Sequence, residues 1–279
     1  MPTPRVAAVH DLSGFGRCSL SIVMPTLSAM GVQCCPLPTA FLSTHTGGFT
    51  GNTFLDLTDQ MAPVTEHWRR EGVSFDAIYT GFMGSREQMA LTAEFIRTFK
   101  REDNLIVIDP VMGDHGELYA GFNEEYVKEN TTLCSLADII VPNVTEAAYM
   151  TNMPYKSEYD VDYIRSMLDR VIEMGAKHAV ITGVSLYPGK TGVYGFEGNS
   201  YFSYQNKHYD AIFYGTGDLF ASTSVGALVQ GYSMEEAFQL ASDHTAHTID
   251  VTMQDPNRAW YGVDFESTLC DLGNIKNKG

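Results

Sequence analysis

Short apolar segments alternate with longer segments of helical periodicity along most of this chain, and that alternation limits the possible folds more than any other feature. The apolar segments have the length and composition of buried parallel strands. These predicted strands are Arg5–His10, Val32–Ala40, Asp76–Thr80, Leu105–Ile108, Asp138–Val141 and His178–Thr182. Because strands separated by helices form βαβ units, we predict an α/β fold with a central, mostly parallel sheet and helices on both faces.

The intervals between these strands supply the predicted helices, at about Cys18–Met30, Asp56–Arg70, Glu87–Lys100, Asn123–Thr132, Asp160–Met174, Asp218–Gln230 and Met234–Val251. Two shorter segments, Gly192–Phe196 and Tyr201–Tyr204, predict an antiparallel hairpin. The two prolines within Val32–Ala40 predict an edge position for that strand, because proline cannot donate to the ladder. The segment from Asp11 to Gly16 is expected to be a loop.

Composition restricts the partners that such a chain can have. The chain has 279 residues, 44% of them hydrophobic and 19% charged, which suits one domain over residues 1–279. A net charge of −16 argues against nucleic acid and anionic membranes as partners. No apolar run approaches membrane-spanning length, and the five cysteines form no CxxC pair. We therefore expect a reduced, cytoplasmic protein.

Polar or small residues stand where predicted strands end. They are Asp11, Gly81, Asp109, Asn143 and Thr182. Ligands of open α/β sheets bind outside the carboxyl ends of the strands, so these positions are expected to share one ligand-binding edge.

The glycine loop, which we define as Gly215-Thr216-Gly217-Asp218, precedes a predicted helix. Glycines permit a tight turn, and the unpaired amides of a helix N-terminus bind phosphate. Asp218 would repel an anion, so its position favours a base that takes a proton from an attacking hydroxyl. With an ordinary pKa of about 3.9, it would be ionised at neutral pH. A plain turn with a capping aspartate is the alternative for this stretch alone.

Two further motifs have the residues of a metal site. Asp109 and Asp114 follow a buried strand, and such carboxylates can hold Mg²⁺ directly or through its waters. A turn aspartate and a solvated loop aspartate are an equally good explanation. Asn143 and Glu146 have the spacing of a capping box, which is compatible with a second role for Glu146 beside a metal or water.

Three other patterns are rejected. Gly14-Phe15-Gly16 imitates a dinucleotide fingerprint, but Ser19 replaces the third glycine and no acidic residue ends the second strand. The segment 183–191 imitates a P-loop, yet its spacing is one residue too long and a strand follows it. His244 and His247 share a helix face, and we expect a structural or surface role for them because no second ligand cluster accompanies them.

Three motifs together resemble the ribokinase-like superfamily, most closely its vitamin B6 kinase branch. They are Asp109-Pro110-Val111-Met112-Gly113-Asp114, Pro142-Asn143-Val144-Thr145-Glu146 and Gly215-Thr216-Gly217-Asp218-Leu219-Phe220. The resemblance covers nearly the whole chain. It implies ATP-dependent phosphorylation of the primary hydroxymethyl group of pyridoxal, pyridoxine or pyridoxamine. It also implies Mg²⁺ and a homodimer, and it leaves open a monovalent cation such as K⁺.

The resemblance also implies roles for particular residues. Asp218 would be the catalytic base, and the amides of Gly215, Thr216 and Gly217 would form the anion hole. The residues implied near the metal are Asp109 and Glu146, and those implied near ATP are Asn143, Thr182 and Asp114. A mobile flap would follow Asp114 and include His115, Gly116, Glu117, Leu118 and Tyr119.

The substrate end departs from the family pattern. The serine common near the end of the first strand is replaced by His10-Asp11, and the Ser-Asn-His-Thr stretch appears as Ser43-Thr44-His45-Thr46. The usual tyrosine is Phe82. The resemblance implies that Asp11, His45, Thr46 and Phe82 contact the substrate. Asp11 would accept from a ring hydroxyl or a protonated ring nitrogen, or pair with an amine.

Two alternative functions stay open. Hydroxymethylpyrimidine kinase, of thiamine biosynthesis, has the same mechanism and a similar flat substrate. A flap cysteine would favour it, and none occurs between Asp114 and Phe122. A non-catalytic nucleotide- or vitamin-binding protein is the alternative from another class, and Asp218 argues against it.

Overall fold

The computed structural model describes residues 3–275 and 278, and a nine-stranded sheet is its main feature. The elements of the first half are β1 (Arg5–Ser13), α1 (Leu20–Ala29), β2 (Gln33–Leu42), β3 (Phe54–Asp56), α2 (Thr58–Arg70), β4 (Ala77–Thr80), α3 (Arg86–Phe99) and β5 (Leu105–Ile108). A small separate hairpin follows, formed by β6 (Gly113–Asp114) and β7 (Glu117–Leu118).

The second half continues the alternation of helices and strands. Its elements are α4 (Glu124–Cys134), β8 (Ile139–Ile140), α5 (Val144–Thr151), α6 (Val161–Glu173), β9 (His178–Val184), β10 (Lys190–Glu197), β11 (Ser200–Lys207), α7 (Thr216–Val229), α8 (Met234–Gln254), a 3₁₀ turn at Phe265–Ser267, and α9 (Leu269–Leu272). Of the eleven strands in the two halves, the sequence predicted all except β3, β6 and β7.

The strand order is β11-β10-β9-β8-β5-β4-β1-β2-β3. The six strands from β9 to β2 in this order are parallel to their neighbours, whereas β3, β10 and β11 join antiparallel. The predicted α/β fold with a mostly parallel sheet is therefore confirmed. The predicted antiparallel hairpin is also confirmed, as β10 and β11.

Alternate residues of the central strands face two separate apolar cores, as the period of two in a strand requires. In β1, Ala7 and Val9 face one core, and Val6 and Ala8 face the other. Helices α2 to α6 cover the first face through buried residues such as Met61, Phe95, Leu133, Ala147 and Ile164. Helices α1, α7 and α8 cover the second face through Leu27, Val225 and Phe238.

Two local predictions need correction. β2 is not the outermost strand, because β3 pairs with it over Ala40 to Leu42. Its prolines, Pro36 and Pro38, lie in the portion that pairs with β1 alone within the described residues, so the missing N–H groups face away from a ladder. In addition, Asp11 belongs to β1 and not to a loop, although the register shifts between His10 and Leu12.

The single-domain organisation stays a prediction, and one sheet with strands from Arg5 to Lys207 supports it. Within residues 3–275 and 278, no helix combines the length and apolar character needed to cross a bilayer.

Candidate active site

The glycine loop forms the turn that begins α7. Gly215 has a φ of 79°, and a Cβ there would lie 2.0 Å from the Arg17 carbonyl oxygen, so both conformation and packing require glycine. Gly217 differs, because a Cβ there would meet nothing within 4 Å. The first amides of a helix have no intrahelical acceptor, so those of this loop are available to an anion beside an open surface. The anion-hole assignment stays a prediction.

Asp218 lies in the first turn of α7 with its carboxylate partly buried. The Ser19 amide donates to Oδ2 of Asp218 at 2.8 Å. Burial raises the pKa of Asp218 to about 7, and the nearby charge of Asp11 adds to that rise. The expectation of an ordinary pKa is therefore wrong. The group titrates close to neutrality, where a general base is most effective.

Two further carboxylates lie close enough to Asp218 to repel one another. Asp109 follows β5, and burial raises its pKa well above the usual range, with further contributions from the charges of Glu146 and Asp218. Burial also raises the pKa of Glu146 to about 7, although three backbone amides oppose the rise. Repulsion among these acidic groups favours a nearby positive charge, although the described residues form no three-carboxylate metal site here.

Glu146 also has a structural role. Its Oε2 accepts from the Asn143 amide at 2.8 Å while the Asn143 Oδ1 accepts from the Glu146 amide at 2.9 Å. This arrangement is a capping box on α5, so the predicted cap is confirmed. The other oxygen, Oε1, accepts from the Met112 amide at 2.9 Å. A role of Glu146 beside a metal must therefore use its remaining lone pairs, most simply through water.

The residues predicted to lie near ATP are only partly together. Asn143 and Thr182 are paired by an isolated parallel bridge, and the Thr182 amide donates to the Pro142 carbonyl at 2.9 Å. The Asn143 side chain also donates to the Gly113 carbonyl at 2.8 Å. Asp114 is exposed, and its Oδ1 accepts from the amide of His115. Its predicted contact with ATP stays a prediction.

The predicted flap is the β6–β7 hairpin. Its turn residues, His115 and Gly116, both have positive φ values of 51° and 86°, as tight hairpin turns require. The Gly116 amide donates to Thr145 Oγ1 at 2.9 Å, which docks the turn on α5. Leu118 is half-buried and Tyr119 is 43% exposed, so the hairpin presents an aromatic ring at the surface. Its mobility stays a prediction.

Asp11 lies in β1 and is almost fully buried, and its predicted contact with substrate stays a prediction. Its Oδ1 accepts from Ser19 Oγ at 2.5 Å and its Oδ2 accepts from Ser13 Oγ at 3.3 Å. Burial raises the pKa of Asp11, and the two hydroxyl donors oppose this rise.

His45 joins several loops around the same region. Its Nδ1 accepts from the Gly47 amide at 3.1 Å, so the ring proton is on Nε2, which donates to the Tyr261 carbonyl at 2.8 Å. Both ring nitrogens thus have protein partners, and a substrate contact would use the ring face or edge. The ring centroid lies 5.1 Å from that of Tyr214, beside the glycine loop.

The other two predicted substrate residues differ in their surroundings. Thr46 is exposed. Phe82 is half-buried at the end of β4, and its ring centroid lies 5.8 Å from that of Phe122 in a stacked arrangement. Contacts of both residues with substrate stay predictions.

The profile of the phosphomethylpyrimidine kinase family matches residues 24–260. The chain belongs to this family. A structure of a putative phosphomethylpyrimidine kinase from Bacteroides thetaiotaomicron is 41% identical with a TM-score of 0.94, and the match covers 98% of this chain and 94% of that chain. A second crystal form of the Bacteroides protein, with pyridoxal, is 42% identical with a TM-score of 0.92, covering 97% of this chain and 96% of that chain.

Pyridoxal kinases are also similar to this kinase. The structure of the enzyme from Lactobacillus plantarum is 31% identical, has a TM-score of 0.89 and covers 96% of each chain. The pyridoxal kinase of Dictyostelium discoideum is 26% identical over 85% of this chain and 81% of its own length. The predicted ribokinase-like superfamily and its vitamin B6 kinase branch are confirmed.

The sequence did not identify an aromatic cluster formed by Phe15, Phe49, Trp260 and Tyr261, to which His45 connects Tyr214. Neighbouring ring centroids lie 4.5 to 6.2 Å apart, from Phe49–Trp260 to Phe49–Tyr261. The rings come from four separate segments, so they leave no periodic pattern. Ser19 was also missed, although it occupies the third-glycine position of the rejected fingerprint.

His244 and His247 lie on α8, which contains none of the site residues described above. His247 lies 3.4 Å from the Asp271 carboxylate, and His244 is buried. Burial lowers the pKa of His244 to about 4. In the described part of the chain, no group of three or more His, Cys, Asp and Glu side chains has the geometry of a metal site. The acidic groups near Asp218 therefore form no complete metal site by themselves, and a metal bound there would need further ligands from ATP or water.

Proposed function

We propose that this kinase transfers the γ-phosphoryl group of ATP to the primary hydroxymethyl group of a B6 vitamer. The observation that carries the proposal is the partly buried Asp218 carboxylate, held by the Ser19 amide at the N-terminus of α7 beside the open amides of the glycine loop. The related Bacteroides structure with pyridoxal, 42% identical to this chain, supports the choice of acceptor.

In the proposed reaction, Asp218 accepts the proton of the acceptor hydroxyl while the oxygen attacks the γ-phosphorus. The new O–P bond forms as the bond from the γ-phosphorus to the bridging oxygen breaks, which leaves ADP. The transition state is loose, so alignment and charge stabilisation matter most. The amides of Gly215, Thr216 and Gly217 would stabilise the charge on the transferring group.

The carboxylates near Asp218 fit a cation. Burial raises the pKa of both Asp109 and Glu146, the charges of Glu146 and Asp218 add to the rise at Asp109, and the charge of Asp114 adds to that at Glu146, a cost that a cation would reduce. When bound, Mg²⁺ would neutralise the negative charge of the ATP phosphates. Asp109 would face the metal or its waters, and Glu146 would do so through water. Asn143, Thr182 and Asp114 would line the ATP side, and K⁺ is a further proposed cofactor.

Hydroxymethylpyrimidine is a second candidate acceptor, because the chain belongs to a kinase family named for a phosphomethylated pyrimidine, which has the same kind of ring. Both acceptors are flat heterocycles that carry a hydroxymethyl group, so the base and the anion hole serve either one. The difference lies in the ring contacts, to which Asp11 contributes a buried acceptor of hydrogen bonds.

A coupled assay of ADP release tests the proposal. Wild-type enzyme with ATP and Mg²⁺ is given pyridoxal, pyridoxine, pyridoxamine or hydroxymethylpyrimidine, and kcat/KM is compared. We expect the highest value with a B6 vitamer. If kcat/KM is highest with hydroxymethylpyrimidine, the proposed acceptor is wrong and the pyrimidine takes its place. If the wild type releases no more ADP than Asp218→Asn with any acceptor, the protein binds its ligands without catalysis.

We also propose that the protein forms a homodimer and is located in the cytoplasm. The outer edge of β3 exposes Phe54 and Leu55, beside the exposed Phe41 of β2, and such an apolar edge suits a protein contact. All five cysteines, which lie in the described residues, are free thiols, as in a reducing compartment. Light scattering at several protein concentrations tests the dimer.

A further inference from the structure

Ser19 hydrogen-bonds to two different carboxylates with two different atoms. Its amide donates to Asp218 Oδ2 at 2.8 Å, and its hydroxyl donates to Asp11 Oδ1 at 2.5 Å. Asp11 belongs to β1 and Asp218 to α7, so one residue connects the acceptor side to the helix that carries the base. Within residues 3–275, no other residue donates to both carboxylates.

The backbone of Ser19 is in an unusual conformation. Its φ of 56° and ψ of −137° lie outside the regions that L-residues other than glycine normally occupy. Such strain persists only where surrounding structure enforces it, and it concentrates at functional sites. Here the conformation points the amide at Asp218.

The hydroxyl of Ser19 also does not make its usual contact. Serine at the position before a helix normally accepts a hydrogen bond from an amide of the first turn, which stabilises the helix. Ser19 occupies this position for α1, yet its side chain makes no capping hydrogen bond. The hydroxyl donates to Asp11 instead. Ser19 therefore has neither a favourable backbone conformation nor the usual capping hydrogen bond, and it makes its two contacts with Asp11 and Asp218 instead.

We propose that Ser19 is a positioning residue that holds the base Asp218 and the ring-binding Asp11 in a fixed relative arrangement. Its amide occupies Oδ2 of Asp218 and leaves Oδ1 for the acceptor hydroxyl. Its hydroxyl fixes the Asp11 carboxylate that faces the acceptor ring. Binding of the ring then places the hydroxymethyl group at the base, and this alignment lowers the barrier. This inference rests on the proposed function for the roles of Asp218 and Asp11.

The electrostatics agree with this arrangement. Asp11 is buried and Asp218 is partly buried, the two carboxylates have like charge, and burial raises the pKa of each. The hydrogen bonds from Ser19 oppose this rise at both carboxylates, so the residue stabilises their charged forms together. Without its donors, repulsion would favour separation of the two groups.

Two substitutions separate the two contacts. Ser19→Ala removes the hydroxyl and keeps a Cβ in the strained conformation, so we expect KM for the vitamer to rise about tenfold through Asp11. Ser19→Gly also frees the backbone, so the amide no longer fixes Asp218 and kcat falls about tenfold as well. Ser13→Ala is the matched control, because it removes the weaker hydroxyl donor to Asp11, at 3.3 Å, and leaves Asp218 untouched.

A double-mutant cycle tests whether Ser19 acts through Asp11. The change in kcat/KM caused by Ser19→Ala should shrink to within about twofold when Asp11→Asn is already present. Additive effects would overturn the proposal, as would an effect of Ser19→Ala no larger than that of Ser13→Ala. If Ser19→Ala does not fold, Ser19→Gly replaces it, because glycine adopts this backbone without strain. In that case only the effect on KM should disappear when Asp11→Asn is already present, while the effect on kcat through Asp218 should remain.

Wild-type activity, followed where needed by crystal structures of the variants, separates failure of this inference from failure of the proposed function. If the wild type phosphorylates pyridoxal and the Ser19 variants match it, only the positioning role is lost. If the wild type prefers hydroxymethylpyrimidine, the same cycle is measured with that acceptor. If it turns over neither, crystal structures of Ser19→Ala and Ser19→Gly decide, because the proposal requires that the Asp11 and Asp218 carboxylates shift apart.

Discussion

Asp138 and Asp218 are carboxylates at two regions of the same fold with opposite electrostatics. Asp138 directly precedes β8 and is buried, which would raise its pKa, but hydrogen bonds from Lys100 and Lys177 and from the Ile106 amide outweigh burial and lower it. Lys177 Nζ lies 2.8 Å from Asp138 Oδ1. Asp218 has one amide donor and acidic neighbours, and its pKa rises to about 7.

The difference separates a structural carboxylate from a functional one. In the folded protein, Lys100 and Lys177 provide the positive charges that balance Asp138, so this carboxylate needs no ligand. No Lys or Arg among the described residues forms an ion pair with Asp109, Glu146 or Asp218, so we expect a ligand or bound cation to bring the compensating positive charge. Perturbed titration of this kind concentrates at functional sites, although ion-pair networks perturb pKa values too. The direction of the shift distinguishes the two regions here.

The largest expected effect is on catalysis. Asp218→Asn keeps the size of the side chain and removes its basicity, so kcat should fall by about 10²–10⁴ while ATP binding changes little. Steady-state kinetics and ATP titration measure the two quantities. Asp138→Asn is the control from the structural region. Nearly full kcat in Asp218→Asn would remove the base from the mechanism.

The structural region should respond in stability. Asp138→Asn removes the partner of two lysines, and we expect the free energy of unfolding to fall by about 3 kcal/mol at pH 7. Because the folded pKa of Asp138 is lowered, its stabilisation is present above the unfolded value of about 3.9 and disappears as pH falls through the folded value. Denaturant unfolding at pH 7 and pH 3 measures this. Asp218→Asn should have no such destabilising effect, since ionising a group with a raised pKa opposes folding.

The third effect is the pH dependence of the rate. With a pKa of about 7, Asp218 is an active base only when deprotonated. We expect kcat/KM to fall about tenfold from pH 8 to pH 6 and to level off above pH 8. Asp138→Asn should keep the same midpoint. A flat profile between pH 6 and pH 8 would mean that Asp218 has an ordinary pKa in the working enzyme.

The fourth effect concerns the metal. If Asp109 orients Mg²⁺ and its waters, Asp109→Asn should raise the Mg²⁺ concentration for half-maximal rate by about fivefold, as for loss of one charged contact. Magnesium titration at fixed ATP measures it, and Asp138→Asn controls for a general charge effect. An unchanged Mg²⁺ requirement would reduce Asp109 to a turn residue.

The smallest effect concerns the choice of acceptor. Asp11→Ser restores the commoner family residue, and we expect it to change the ratios of kcat/KM among the three B6 vitamers by about threefold or more without abolishing activity. A buried polar group discriminates between ligands that do and do not match it. Identical ratios in variant and wild type would place Asp11 outside the acceptor pocket.

The sequence predicted the features that depend on neighbours along the chain. The alternation of strand and helix predicted the sheet, the spacing of Asn143 and Glu146 predicted the capping box, and the two glycines before Asp218 predicted the turn into α7. It did not predict β3 or the β6–β7 hairpin, because strands of two or three residues have too few positions to show a period. The two-residue β8 was predicted because it lies within the longer apolar segment Asp138–Val141.

Only the tertiary structure determined the hydrogen-bond partners and the pKa values of Asp218 and Asp138. Ser19 and Asp218 are 199 positions apart, and Asp138 is 38 positions from Lys100, so neither contact has a local signal. The identity of Asp218 suggested a base with an ordinary pKa, whereas burial beside Asp11 raises that pKa to about 7. Local sequence determines backbone conformation through periodicity, capping and glycine content. Desolvation and Coulomb interactions depend on distances in space, which only the packed fold sets.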